Sequence, residues 1–250
     1  MDLESSGPVA VLTMRTGRAN AISTEFLERL WEQLEAVERS GAAALLLTGE
    51  GKAFSAGLDL PHVLSLDRPG LERFILRFTE VMLRVFTLPI PVVAAINGHA
   101  IAGGCVLALQ ADVRLAAEGD LRMGLNEVQL GLGLPAVILE TLRWQVPPEA
   151  MLPIALEGRL VGPAEAHELG LVHEVVPPAR LLQAARARAE ALAALPGPAF
   201  RDIKQAIRAP VLAAVRAVEK DDARRWVDVA FSGTARERLT EVVARLTSKR

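Results

Sequence analysis

The sequence contains a single cysteine, no tyrosine and no long apolar run. Because Cys105 has no partner in the chain, no internal disulfide is possible, which is typical of proteins in reducing compartments. No apolar stretch reaches the roughly 18 residues of a membrane span. The first residues, Met-Asp-Leu-Glu, do not read as a signal or transit peptide. We therefore expect a cytoplasmic protein without membrane association.

Neither sign of charge is in excess. The chain has 28 Lys and Arg against 30 Asp and Glu, a net charge of −2 over 250 residues. Proteins that bind nucleic acid or anionic membranes through their surface field are normally basic, so neither partner is expected. Apolar residues make up 51% of the chain, which is enough to bury one large core.

Strand and helix patterns alternate along the first part of the chain, which indicates an α/β core. Amphipathic helices are predicted over residues 26–37, with Ser23 as N-cap, and over residues 71–86. Buried strands are predicted at residues 9–12, 44–48, 92–96 and 112–115. From about Arg180 the pattern becomes helical, and breaks at 196–198 and 232–234 divide it into three helices. These patterns predict a core at residues 1–178 and a helical region at 179–250.

Two segments rich in small residues come directly after predicted strands. Residues 52–60, with Ala56 and Gly57, could let the backbone approach a ligand, or could form only a tight turn in which Asp59 caps the next helix. In residues 96–109, Gly103 and Gly104 open a helix, where free N–H groups stabilise an oxyanion. These glycines could equally serve close packing alone. A nucleophilic pair of His99 and Cys105 is disfavoured, because Cys105 lies among apolar residues.

The third segment, residues 123–135, contains a carboxylate among apolar residues. Asn126 and Gln129 have the spacing of a capping box, which would make Glu127 the first helical residue. Glu127 could merely complement the helix dipole. It could instead act as a general base, because burial raises the pKa of a carboxylate toward the range useful for proton transfer.

Together, these three segments resemble the crotonase (enoyl-CoA hydratase/isomerase) superfamily, and the similarity continues through residues 158–177. The resemblance implies a spiral of ββα units followed by a C-terminal helical trimerisation region, and a homotrimer or hexamer. It implies an acyl-CoA thioester substrate, a role in fatty acid metabolism, no metal, and no cofactor beyond the CoA moiety of the substrate. By position, the implied oxyanion-hole donors are the N–H groups of Leu58 and Gly103, and the implied catalytic residue is Glu127. The implied CoA and substrate contacts are Arg18, Ala19, Ala56, Gly57 and Asp59.

Two departures from the family pattern favour one reaction. Hydratases of this family use two glutamates around a water, and Val106 stands at the position of one of them. Pro135 stands where a backbone N–H would help to hold that water, and proline has no N–H. Moving a double bond needs only one base, so the pattern is most similar to the 3-enoyl-CoA isomerase branch. The alternatives are an enoyl-CoA hydratase, another crotonase-type reaction such as decarboxylation, or a non-catalytic acyl-CoA-binding protein.

The helical region also carries apolar residues that a subunit interface could use. Trp226, Val229 and Leu239 lie on its predicted apolar stripes, and we expect the region from about Arg201 onward to pack between subunits of an assembly that is at least a trimer.

Overall fold

The computed structural model describes residues 1–17 and 19–248. Its strands are β1 Asp2–Ser6, β2 Val9–Met14, β3 Ala44–Gly49, β4 Ala53–Ser55, β5 Val92–Ile96, β6 His99–Ile101, β7 Val113–Ala117, β8 Met123–Gly124 and β9 Glu174–Val176. Its helices are α1 Thr24–Ser40, α2 Leu60–Ser65, α3 Arg68–Thr87, α4 Gly103–Leu109, α5 Ala136–Gln145, α6 Pro163–Glu168, α7 Leu181–Ala193, α8 Gly197–Ala230 and α9 Gly233–Ser248. Short 3-10 turns at Glu127–Leu130, Pro148–Ala150 and Pro178–Arg180 and a π-helical turn at Leu152–Leu156 complete the chain.

The strands form two sheets that the chain visits in turn. The larger sheet has the order β1-β2-β3-β5-β7-β9 and is parallel except for the β1–β2 pair. The smaller sheet has the order β4-β6-β8 and is parallel. Each of β3, β5 and β7 lies in the large sheet and is followed directly by a strand of the small sheet. The chain therefore advances as a spiral of strand–strand–helix units.

The predicted elements of the core are confirmed. The four predicted strands correspond to β2, β3, β5 and β7, and β3 and β5 are buried almost completely along their length. The predicted helices correspond to α1 and α3. Ser23 caps α1 by accepting a hydrogen bond from Phe26 N at 3.2 Å, so that an N–H at the helix start is satisfied.

The C-terminal helices pack against their own chain. Helix α7 covers the large sheet, α8 runs along α3 and α5, and α9 lies over α2 and the 3-10 turn Glu127–Leu130. Trp226 and Leu239 are buried in these contacts, at 4% and 1% exposure, while Val229 remains 38% exposed. Trp226 and Leu239 are therefore buried by their own chain, and the packing of the helical region between subunits stays a prediction.

Helix α8 is fixed to the core by buried charges. Asp112, just before β7, accepts hydrogen bonds from Lys204 Nζ at 2.7 Å and from Arg208 Nη2 at 2.6 Å. Lys204 also donates to Ile90 O at 2.8 Å. Burial lowers the pKa of Lys204 to about 8, although Asp112 opposes that change. In the described part of the chain, no helix is long and apolar enough to cross a membrane.

Candidate active site

The three segments singled out in the sequence converge because each comes after a strand of the small sheet. Residues 56–59 follow β4, residues 102–104 follow β6, and residues 125–127 follow β8. The strands are parallel neighbours, so their carboxyl ends meet at one edge, where α/β proteins commonly place their sites. Ala102 N donates to Gly124 O at 2.8 Å, which fixes the second segment against the third.

Glycine is required where these segments touch. A Cβ on Gly104 would lie 2.1 Å from Ser55 O, and one on Gly57 would lie 2.7 Å from Ile101 O. Gly57 also has a φ of +87°, which strains any residue with a side chain. These contacts confirm the close-packing alternative for Gly104, because the neighbouring atoms belong to the protein's own backbone, and the approach of this backbone to a ligand stays a prediction.

The two predicted oxyanion donors, Leu58 and Gly103, are neighbours. A Cβ on Gly103 would lie 3.4 Å from Leu58 Cδ2. Gly103 is the first residue of α4, so its N–H has no intrahelical acceptor, and Leu58 N–H is not used in the isolated bridge to Ile22. Neither N–H has an acceptor within the residues that the structure describes. Free N–H groups on two neighbouring residues are what a developing oxyanion requires.

Ala102 joins β6 to α4 in an uncommon backbone conformation. It is the N-cap residue of α4, with φ 50° and ψ −123°, a conformation that is uncommon for a residue with a side chain. Its N–H donates to Gly124 O at 2.8 Å and its carbonyl accepts from Val106 N at 3.0 Å. The strained conformation is therefore held from both sides.

The segment before Ser23 lies against the first site segment. Ala56 N donates to Ala19 O at 3.0 Å, Ile22 N donates to Gly57 O at 2.8 Å, and Asp59 N donates to Ile22 O at 2.9 Å. Ala19 and Ala56 are thus adjacent, as a shared contact with CoA requires. The Asp59 side chain caps α2 by accepting from His62 N at 3.1 Å, which confirms its capping alternative. Arg18 lies outside the described residues.

Asn20 and Ser55 were missed in the sequence. Asn20 is 3% exposed, and its side chain donates to Ala53 O at 3.3 Å and Phe54 O at 3.1 Å and accepts from Thr16 N at 2.9 Å. Ser55 Oγ donates to Asn20 O at 2.8 Å. They fix the position of the Ala19–Ala56 contact. Asn20 has a φ of 53°, and the tolerance of asparagine for that conformation is the signal that could have identified it.

Glu127 is buried without a charged partner. It is 5% exposed, and its Oε2 has no hydrogen-bond partner among the described residues. Burial raises its pKa to about 7, against an ordinary value of 4.5. Near neutral pH this carboxyl can therefore both take up and release a proton, which is the property of an acid–base catalyst.

The predicted capping box around Glu127 is wrong. Asn126 makes no side-chain capping bond, and Glu127–Leu130 is a single 3-10 turn. Gln129 Nε2 instead donates to Glu157 O at 3.1 Å and Gly158 O at 2.9 Å. The Gln129 side chain, which the spacing predicted to cap the helix start, therefore makes a tertiary contact instead.

The remaining positions offer no second base. Val106 is fully buried in α4, and Pro135 precedes α5 at its N-cap position. Cys105 is buried, and desolvation raises the pKa of its thiol far above its ordinary value, so it is not a nucleophile at neutral pH. His99 Nδ1 accepts from Arg122 N at 2.9 Å, on the opposite end of β6 from the site.

The sequence profile described as enoyl-CoA hydratase/isomerase matches residues 4–241. The chain is 29% identical to human mitochondrial enoyl-CoA delta isomerase 1 over 99% of its length and 83% of the human protein. It is 31% identical to the short-chain-enoyl-CoA hydratase of Clostridium acetobutylicum over 82% of its length and 79% of that protein.

Solved structures give the same picture. The crystal structure of human mitochondrial delta3-delta2-enoyl-CoA isomerase superposes with a TM-score of 0.94 at 29% identity, covering 99% of this chain and 98% of the human one. An enoyl-CoA hydratase from Mycobacterium ulcerans gives a TM-score of 0.84 at 27% identity, covering 92% and 99%. The predicted crotonase fold is confirmed.

Proposed function

The chain belongs to the enoyl-CoA hydratase/isomerase family, and from this premise we propose that it isomerises 3-enoyl-CoA to 2-enoyl-CoA. The observation that carries this proposal is the buried carboxylate of Glu127 at the carboxyl edge of the small sheet, where Val106 stands in place of the second glutamate of a hydratase. Pro135 supports it, because a proline cannot donate an N–H to a nucleophilic water.

The reaction needs one base and one anion site. The Glu127 carboxylate removes a proton from carbon 2, and the electron pair of that C–H bond delocalises onto the thioester oxygen. The N–H groups of Leu58 and Gly103 stabilise this enolate. Protonated Glu127 then delivers the same proton to carbon 4, and the double bond between carbons 3 and 4 becomes one between carbons 2 and 3. No atom is gained or lost, and Glu127 returns to its starting charge.

In this proposal, the CoA moiety of the substrate lies beside the hydrogen-bonded contact between Ala19 and Ala56. Peptide groups there can bind an adenine edge, and Gly57, which packs against Ile101 O and Gly103 N, keeps Leu58 beside Gly103. Arg18 is the proposed phosphate contact. Asp59 acts indirectly, by holding α2 beside the site.

A substitution of the base tests the proposal directly. Conjugation that appears on adding a 3-enoyl-CoA is followed by ultraviolet absorbance. We expect Glu127→Gln to lower kcat by about 10²–10⁴-fold, because an amide of the same shape cannot accept the proton. Glu168→Gln is the matched control, since Glu168 is an exposed carboxylate at the end of α6. Near-normal isomerisation by Glu127→Gln would remove the single-base mechanism.

Hydration is the second candidate, and the similarity to the Clostridium acetobutylicum hydratase favours it. It predicts the opposite signal, a loss of conjugation when a 2-enoyl-CoA is added. Val106 and Pro135 weigh against it, because water must be oriented as well as deprotonated. Robust hydration by the unmodified protein would overturn the isomerase proposal. If neither signal appears, the remaining candidate is a role in binding acyl-CoA.

A further inference from the structure

Local backbone hydrogen bonds fix the chain after Glu127 as far as Leu132, whose N–H donates to Glu127 O at 2.9 Å. The 3-10 turn spans four residues, lacks a side-chain cap and ends at Gly131 in the left-handed conformation. The next residues are Leu132-Gly133-Leu134-Pro135, and glycine adds backbone freedom. Pro135 occupies the N-cap position of α5 and makes no side-chain cap bond, so it leaves the first N–H of that helix, on Ala136, without a local acceptor.

Helix α8 supplies hydrogen-bond partners for Gly133 and Ala136. Asp222 is 5% exposed, and its Oδ2 accepts from Ala136 N at 2.6 Å, across 86 residues of chain. This carboxylate accepts a hydrogen bond from the free N–H at the start of α5. Its negative charge also interacts favourably with the positive end of the helix dipole. One turn further along α8, Trp226 Nε1 donates to Gly133 O at 2.8 Å.

Helix α9 adds two contacts to the same stretch. A Cβ on Gly131 would lie 3.2 Å from Ala235 Cα, so the two backbones are in close contact. Arg238 Nη1 donates to Gln129 O at 3.3 Å. Four residues from the C-terminal helices therefore hold residues 129–136, while Glu127 stands directly before them.

We propose that Asp222 and Trp226 are positioning residues for Glu127, holding the glycine-containing segment that sets the place and the burial of its carboxylate. This inference rests on the proposed function only for its kinetic consequences. The C-terminal helices accordingly serve the site within one chain, independently of any role between subunits. Neither residue touches substrate in this scheme.

The test is the removal of one hydrogen bond with little loss of volume. Trp226→Phe keeps an aromatic ring against the core and deletes the donor to Gly133 O. The matched control is Trp144→Phe, because Trp144 is 47% exposed and lies on α5, away from this hydrogen bond. We expect kcat to fall about tenfold in Trp226→Phe, with KM within twofold, because misplacement of a catalytic group costs rate rather than affinity.

A second pair of variants separates positioning from folding. Asp222→Asn keeps an oxygen that can accept from Ala136 N, whereas Asp222→Ala does not. We expect Asp222→Asn to resemble the wild type and Asp222→Ala to resemble Trp226→Phe. Equal losses in both would mean that the charge of Asp222, which also pairs with Arg225, matters instead of the hydrogen bond, and would overturn its positioning role.

The decisive readout does not require turnover. The titration of the Glu127 carboxyl is followed by ¹³C NMR, with Glu127→Gln assigning the signal. In Trp226→Phe and Asp222→Ala a loosened segment admits water, so the pKa of Glu127 should fall from about 7 toward its ordinary value of 4.5. An unchanged titration in folded variants would overturn the inference. A shifted titration in a protein that isomerises nothing would leave it intact and reject the proposed function instead.

Discussion

At the scale of single residues, the burial that raises the pKa of Glu127 also destabilises the protein. A carboxyl whose pKa is raised from 4.5 to about 7 keeps its proton in the folded state between those values, while the unfolded state releases it. Stability therefore falls as pH rises from about 4.5 to 7, and the full cost is present above pH 7. That cost is about 3 kcal/mol.

Glu127→Gln should accordingly be more stable than the wild type at alkaline pH. We expect a gain of about 1–2 kcal/mol at pH 8, because a neutral amide still loses its hydration on burial. The gain should shrink at pH 5, where Glu127 is protonated in the folded protein. Urea unfolding of both proteins at equal concentration measures it, with Glu168→Gln as control. A variant that is less stable than the wild type at pH 8 would show that Glu127 carries a structural role instead.

At the scale of elements, the predicted strands and helices are those that are long enough for the periodicity of their apolar residues to be recognised. Strands β4, β6 and β8 have three, three and two residues, too few for any alternation to show. These strands form because the backbone groups of neighbouring segments pair. In the sequence, their sign is the glycines at 57, 104 and 124, which permit the close backbone contacts. The α/β class could thus be predicted from periodicity, whereas the spiral fold and the convergence of the site segments could be inferred only by resemblance.

The two glycines that open α4 should respond differently to the same added methyl group. A Cβ on Gly104 would meet the Ser55 carbonyl oxygen at 2.1 Å, and backbone can move away only if β4 and α4 separate. A Cβ on Gly103 would meet side-chain carbons of Ile22, Leu58 and Phe78 at 3.2–3.5 Å, which can adjust.

We therefore expect Gly104→Ala to lose about 1–3 kcal/mol or more of unfolding free energy, in the range of overpacked cores. Gly103→Ala should lose less, because its neighbours can yield. Denaturant unfolding of the two variants side by side measures the difference. Equal stability would mean that the small sheet is not packed as closely as the structure has it.

At the scale of the whole molecule, the C-terminal helices have two different faces. The hydrogen bonds of Asp222 and Trp226 on their inner face could not be predicted from the sequence, because a contact across 86 residues leaves no local pattern. Apolar periodicity identified Trp226 correctly as buried, but it does not say against which chain. The predicted division at residues 178 and 179 remains a prediction, and so does the cytoplasmic location.

The outer face of α8 is a candidate surface for self-association. Ile203, Ile207, Pro210, Ala214 and Val218 recur every three or four residues and are all exposed. Ile203 is 60% exposed, Ile207 48% and Val218 45%. A continuous apolar stripe on the surface of a helix is costly in water and marks a protein–protein contact.

Two charges on that stripe should dissociate the homotrimer or hexamer that we expect. Each chain has a mass of 26.8 kDa, so multi-angle light scattering at micromolar concentration should give three or six times that mass for the wild type. The double variant Ile203→Glu/Ile207→Glu should give the mass of one chain, because carboxylates facing an apolar interface cannot be desolvated without a partner. Leu182→Glu, on the equally exposed Leu182 of α7, is the control and should assemble normally. A wild-type mass of 26.8 kDa would refute self-association, and an assembled double variant would place the contact elsewhere than on this stripe.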